Sequence, residues 1–204
     1  METIRDITEI HYDVDTKPKK VYKKAKKLGY EVKSLSRGVA HFEKDGQHFV
    51  TVKGTNPLNL DDLKSDASIG LGTTKTDAQF KKRRKAIKKI YKSIPNNESI
   101  TLTGHSLGGS IVTSAMAKSK SIRDRTDKAH TFNTGYTKAF HKELRKDLSK
   151  EDRDELNDKI THHRINNDVV SEQIKGGSIG KVKNYTKKNG DILENHSLDA
   201  FVFE

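Results

Sequence analysis

The stretch Ser99-Ile100-Thr101-Leu102-Thr103-Gly104-His105-Ser106-Leu107-Gly108-Gly109 decides the fold. Ser99–Thr103 is a short β-prone run, and the small residues Gly109–Ala117 suit a closely packed, buried helix. Between them stands Gly-x-Ser-x-Gly, the pattern that exposes a serine hydroxyl on a sharp turn from strand to helix. Such a serine occupies a sparsely populated backbone conformation that draws neighbouring segments together, so side chains at 104 and 108 would clash. The competing reading is a glycine-rich turn with an incidental serine, and the strand and helix on either side argue against it.

A serine hydroxyl is a weak nucleophile near neutral pH and needs a histidine base, which in turn needs an acceptor on its other nitrogen. After such an elbow the chain order is serine, then acid, then histidine. His130, His141, His162, His163 and His196 follow Ser106, and His162 and His163 precede every well-placed acid. His196, in Leu193-Glu194-Asn195-His196-Ser197, reads as the base, projecting from a loop ahead of the last apolar segment. Thr161–Val170 reads as a strand ending in a polar turn, which places Asp168 at a strand's carboxyl end, where open α/β sheets carry their sites. Asp191 is the alternative acid, but Lys188-Asn189-Gly190-Asp191 reads as a hairpin turn. These features together predict an acyl hydrolase.

The tetrahedral oxyanion of acyl transfer requires backbone donors, one being the amide after the nucleophile, here Leu107. The second comes from an earlier strand end. Gln47–Val52 is an apolar β run that stops at Lys53-Gly54-Thr55, and Thr55 offers an amide and a hydroxyl. The alternative there is an ordinary strand-terminating turn.

Val52-Lys53-Gly54-Thr55, Thr103 through Gly109, His130-Thr131-Phe132-Asn133-Thr134-Gly135, Asn167-Asp168-Val169-Val170 and His196 together resemble the fungal-type (class 3) triacylglycerol lipases of the α/β-hydrolase fold. The resemblance spans roughly residues 47–200. It implies a triad of Ser106, Asp168 and His196, with Thr55 and Leu107 lining the oxyanion hole. Two departures, Lys53 in place of an arginine and Phe132-Asn133-Thr134-Gly135 in place of Phe-Gly-x-Pro, leave the triad positions intact. The stretch from Thr55 to Phe80 is short for a long lid.

A chain of 204 residues buries roughly 70% of its unfolded surface, enough for one α/β core. A single domain over 1–204 is therefore expected. Helices are expected at Pro18–Leu28, Asn59–Leu71, Phe80–Ile94 and about 137–148. Antiparallel strands are expected at Tyr30–Leu35, Val39–Glu43 and Gln47–Val52. Strands near 100, 130 and 162 alternating with helices argue for a mostly parallel sheet with helices on both faces. Met1–Asp6 lacks the apolar core of a signal peptide and no run of 18 apolar residues occurs, so a soluble cytoplasmic protein is the expectation. With no cysteine, disulfides and thiolate chemistry are excluded.

The net charge is +12, with lysine clusters at Lys17–Lys27 and Lys81–Lys89. Such faces attract anionic lipid, nucleic acid or acidic proteins through forces that salt weakens, or they serve only as solubilising surface. The expected partner is an ester or lipid substrate, with an anionic lipid surface as a further candidate. The alternative is a catalytically idle hydrolase scaffold that binds nucleic acid or another anionic partner. Nucleic-acid readers, however, carry aromatic platforms or recognised motifs, whereas the tyrosines and phenylalanines here sit mainly at core-periodic positions. No cofactor is expected, and no metal, since adjacent His162 and His163 do not converge on one ion.

Overall fold

A computed structural model describes residues 1–54, 74–135, 138–168, 178–186, 192–201 and 203. The chain opens with helix α1 (Glu2–Ile10), a 3-10 segment (His11–Asp15) and α2 (Pro18–Lys27). Strands β1 (Glu31–Leu35), β2 (Val39–Lys44) and β3 (Gln47–Val52) follow, then α3 (Thr74–Tyr91), β4 (Ser99–His105), α4 (Leu107–Ala117) and α5 (Lys120–Arg125). The remainder is β5 (Lys128–Phe132), α6 (Lys138–Arg145), α7 (Lys150–Lys159), β6 (Ile160–Ile165), β7 (Lys181–Tyr185), α8 (Ile192–His196) and a 3-10 turn, Leu198–Ala200.

The seven strands lie in chain order across one sheet, antiparallel from β1 to β3 and parallel from β3 to β7. This is the expected α/β-hydrolase-like architecture with its antiparallel N-terminal part. Parallel strands in simple sequence order, joined by right-handed crossovers, send every connecting helix to the same face. The other face is covered by the two ends of the chain.

Side-chain alternation along the strands bears this out. Val39, Val50, Val52, Ile100, Leu102, Ala129 and Ile160 join the crossover helices through Ile87, Ile111, Val112, Ile122, Leu144 and Leu156. On the opposite face, Ala40, Phe42 and Phe49 meet Ile7, Ile10, Val14, Val21 and Ala25 of the N-terminal helices. Phe132 and Ile165 meet Leu198, Ala200 and Phe201. Helix α4 is buried at every position from Gly108 to Ala117, because its glycine, serine and alanine residues let it lie close against the sheet. Helix α3 turns Phe80, Ile87 and Tyr91 inward, as its spacing predicts, and leaves Lys81, Lys82, Lys85, Lys88 and Lys89 in water.

Several elements were not expected from pattern. Helix α7 buries only Leu156 and so has no apolar stripe. Its anchor is Arg123, which is 3% exposed, with Nη2 2.5 Å from Asp152 and Nε 3.2 Å from Glu155. Strand β7 is an edge strand with no buried residue, and it carries a single apolar aliphatic residue, Val182. Thr55, Asp191 and the helix expected at Asn59–Leu71 lie outside the described residues. Among the described residues no helix is long and apolar enough to cross a membrane.

Candidate active site

Parallel register brings Val52 beside Gly104, His105 beside Phe132 and Phe132 beside His163, so the carboxyl ends of β3 to β6 lie in a row. At the end of β4, Ser106 adopts φ 54° and ψ −127°, a positive-φ conformation that is rare for a residue with a side chain. Two close approaches enforce the flanking glycines. A Cβ on Gly104 would lie 2.6 Å from the carbonyl carbon and oxygen of Gly108, and one on Gly108 would lie 2.1 Å from the Val52 carbonyl oxygen. The turn is fastened by the Ser106 amide, which donates to Phe132 O at 2.9 Å, and by the Gly109 amide, which donates to Ser106 O at 3.0 Å.

Leu107 opens α4, so its amide is one of the first-turn donors that have no carbonyl partner inside their own helix. The end of β3 lies against it: a Cβ on Gly54 would sit 3.1 Å from Leu107 N. Thr55 follows directly in sequence, beyond the described residues.

Strand β6 ends at Ile165, and Asn167 turns the chain through φ 68° so that Asp168 emerges at the carboxyl end of the sheet, 1% exposed. His196 is also 1% exposed, and its Nδ1 stands 2.9 Å from Asp168 Oδ1. The carboxylate only accepts, so Nδ1–H is the donor of this bond. Nε2 is buried and has no hydrogen-bond partner among the described residues, Ser106 Oγ included. The structure corrects one local expectation: His196 ends the short helix α8 instead of projecting from a loop.

Two buried side chains hold the backbone of α8. His105 Nε2–H donates to the carbonyl oxygen of His196 at 2.8 Å, and Asn133 Nδ2 donates to that of Asn195, also at 2.8 Å. Asn133 belongs to one of the two departures from the lipase pattern, and that departure therefore bears on the residue beside His196. Burial, reinforced by the nearby His196, lowers the His105 pKa to about 3 and keeps its ring neutral.

The other histidines after Ser106 are committed elsewhere. His130 Nδ1 lies 3.0 Å from His163 Nε2, and His163 Nδ1 lies 2.8 Å from the Tyr185 hydroxyl. His162 Nε2–H donates to Ile179 O at 2.6 Å, and the Ile179 amide donates to His141 Nδ1 at 3.3 Å. Among the described residues no group of three or more histidine and carboxylate side chains is arranged to hold a metal ion.

A strand-elbow-helix serine on a mostly parallel sheet, with a buried histidine-carboxylate pair at the same edge, defines an α/β-hydrolase-like protein. Residues 24–193 match the Tle-like phospholipase domain, and the chain belongs to that phospholipase-like family. Among solved structures it is similar to a lipase from Rhizopus microsporus var. chinensis, at 14% identity and a TM-score of 0.48, over 83% of this chain and 68% of that one. It is also similar to the Lip2 lipase from Yarrowia lipolytica, at 14% identity and a TM-score of 0.45, over 76% and 65% of the two chains. No curated protein matches the sequence.

Proposed function

We propose that this protein is a serine carboxylic-ester hydrolase acting on lipid esters, with Ser106 as nucleophile, His196 as base and Asp168 as the acid that orients it. The observation that carries this reading is the His196–Asp168 contact at 2.9 Å, at the carboxyl edge of the sheet that also carries Ser106. The motifs around Ser106, Asp168 and His196 further support a kinship with the fungal-type (class 3) lipases.

In the first half-reaction, His196 Nε2 takes the Ser106 hydroxyl proton as Oγ attacks the ester carbonyl carbon. Negative charge moves onto the carbonyl oxygen, where the amide of Leu107 and the amide and hydroxyl of Thr55 stabilise it. Collapse breaks the bond to the alcohol, which leaves with the proton from Nε2, and the acyl group stays on Ser106. In the second, water gives its proton to Nε2 and attacks the acyl carbon. Collapse then releases the carboxylic acid, and the proton returns to Ser106. Asp168 accepts from Nδ1–H throughout and stabilises the transient imidazolium. The lysine faces of α2 and α3 suit an anionic lipid surface as the place where substrate is met.

The test is hydrolysis of para-nitrophenyl butyrate and of phospholipid vesicles by the wild type and Ser106→Ala. The reading requires wild-type turnover that falls by about a million-fold in the variant. Turnover that survives in Ser106→Ala, or a wild type inert on every ester, overturns it. In the second case an idle scaffold that grips anionic partners becomes the better reading.

A further inference from the structure

Tyr12 lies in the 3-10 segment His11–Asp15, ahead of the residues that match the phospholipase domain. Its hydroxyl is 2.9 Å from His105 Nδ1, and it accepts the Gly54 N–H at 3.2 Å. His105 Nε2 is 2.8 Å from the carbonyl oxygen of His196, which only accepts, so Nε2 carries the hydrogen. In a neutral imidazole Nδ1 is then bare and accepts from the Tyr12 hydroxyl. Every donor in the chain is thereby fixed: Gly54 N–H to Tyr12 Oη, Tyr12 O–H to His105 Nδ1, His105 Nε2–H to His196 O.

Independent contacts hold Tyr12 in place. His11 Nδ1 lies 2.9 Å from Thr51 Oγ1 and its Nε2 lies 2.8 Å from Ser36 O, pinning the 3-10 segment to β3 and to the turn before β2. Asp15 pairs with Lys53, whose ammonium stands 5.3 Å from the centre of the Tyr12 ring. The rings of Tyr12 and His105 meet edge to face at 5.6 Å.

We infer that Tyr12 and His105 are positioning residues that lock the oxyanion end of β3 and the backbone of the catalytic base into one frame, supplied by the N-terminal segment. This rests on the hydrolase reading above. One end of the chain is Gly54, the residue before Thr55, and the other is His196 itself. Displacing catalytic groups by about 1 Å costs up to about 100-fold in rate. Moving either end would break a bond of this hydrogen-bonded chain.

The test measures kcat, KM and thermal midpoint for Tyr12→Phe, His105→Gln, His105→Asn, the double variant Tyr12→Phe/His105→Gln, and Val14→Ala. Val14→Ala loosens the packing of the same segment without touching the chain. Tyr12→Phe should lower kcat by between about 10- and 100-fold, with KM within about twofold. His105→Gln, which keeps a donor near the Nε2 position, should retain more activity than His105→Asn. The double variant should be no slower than the slower single variant, as coupled residues require. Wild-type kcat in Tyr12→Phe overturns the inference. So does a Val14→Ala variant of equal thermal midpoint that loses as much kcat. The Ser106→Ala control separates the two claims: an active Ser106→Ala sinks the hydrolase reading whatever Tyr12 does, whereas an inactive one beside a normal Tyr12→Phe sinks only the positioning role.

Discussion

The side-chain amide of Asn133 joins two strands' ends to the helix that carries His196: Nδ2 donates to Asn195 O at 2.8 Å, and Oδ1 accepts the Ile165 amide at 2.9 Å. Asn133 also holds φ 41°, a left-handed conformation that asparagine tolerates better than alanine. Asn133→Ala removes both hydrogen bonds and takes this acceptor from the buried Ile165 amide. It should cost about 1–3 kcal/mol for that amide and about 1 kcal/mol more for the backbone. Asn133→Gly should recover the backbone part only. Urea midpoints measure both, and a wild-type midpoint for the alanine variant would contradict the assigned role.

Acid should unfold the protein over an unusually high pH range. Burial lowers the pKa of His11 to about 4, of His105 to about 3 and of His162 to about 4, against an ordinary value of 6.5. For these groups the unfolded chain binds more protons between about pH 6.5 and about pH 4. Their contribution is therefore complete above about 6.5 and is lost as pH falls towards 4. At about pH 5 the loss is about 2 kcal/mol for each, or about 6 kcal/mol for the three, comparable with the whole stability of a small domain. Denaturant midpoints at about pH 7.5 and about pH 5 read this directly. Equal midpoints would show that these rings are not held neutral by burial.

Gly108 and Gly46 separate two reasons for glycine. A methyl at 108 collides with the Val52 carbonyl at 2.1 Å, and backbone cannot swing aside as a side chain can. Gly46 has φ +72° and nothing within 4 Å of an added Cβ. Gly46→Ala should therefore cost about 1–2 kcal/mol, and Gly108→Ala about 4 kcal/mol or more, or fail to fold. A Gly108→Ala protein as stable as Gly46→Ala would refute the packed elbow.

The sheet and the elbow were legible because each leaves a local signature. Parallel strands at β4, β5 and β6 are buried runs separated by helical periods, and the glycines at 104 and 108 record a steric demand in residue identity alone. The pairing of Asp168 with His196 was anticipated from chain order, since the elbow architecture sets an acid and then a histidine after its serine. The N-terminal frame was not. Ile4, Ile7 and Ile10 recur at helical steps, but the link from Tyr12 to His105 crosses 93 positions and leaves no local trace. The same holds for Asn133 and Asn195, 62 positions apart. Helix α7 escaped because an ion-pair anchor on Arg123 replaces the apolar stripe, and α8 because five residues are too few to display a period.

Lys81, Lys82, Lys85, Lys88 and Lys89 are exposed on α3 and form a single-sign row. Each lysine near an anionic membrane is worth about 1 kcal/mol, an attraction that salt screens. Hydrolysis of vesicles containing anionic lipid should fall when salt rises from about 50 to about 500 mM, whereas hydrolysis of dissolved short esters should not. Lys82→Glu/Lys85→Glu should weaken the first and spare the second. Equal, salt-independent rates on neutral and anionic vesicles would assign these lysines to solubility alone.

The central claim is that Ser106 is a nucleophile activated by His196. It is tested most directly by intact-mass measurement after reaction with an organophosphonate ester, which phosphonylates only an activated serine. One adduct on the wild type, mapped to Ser106, absent in Ser106→Ala and formed far more slowly in Asp168→Asn, is the predicted result. An adduct that persists in Ser106→Ala, or that maps to any other serine, would contradict it.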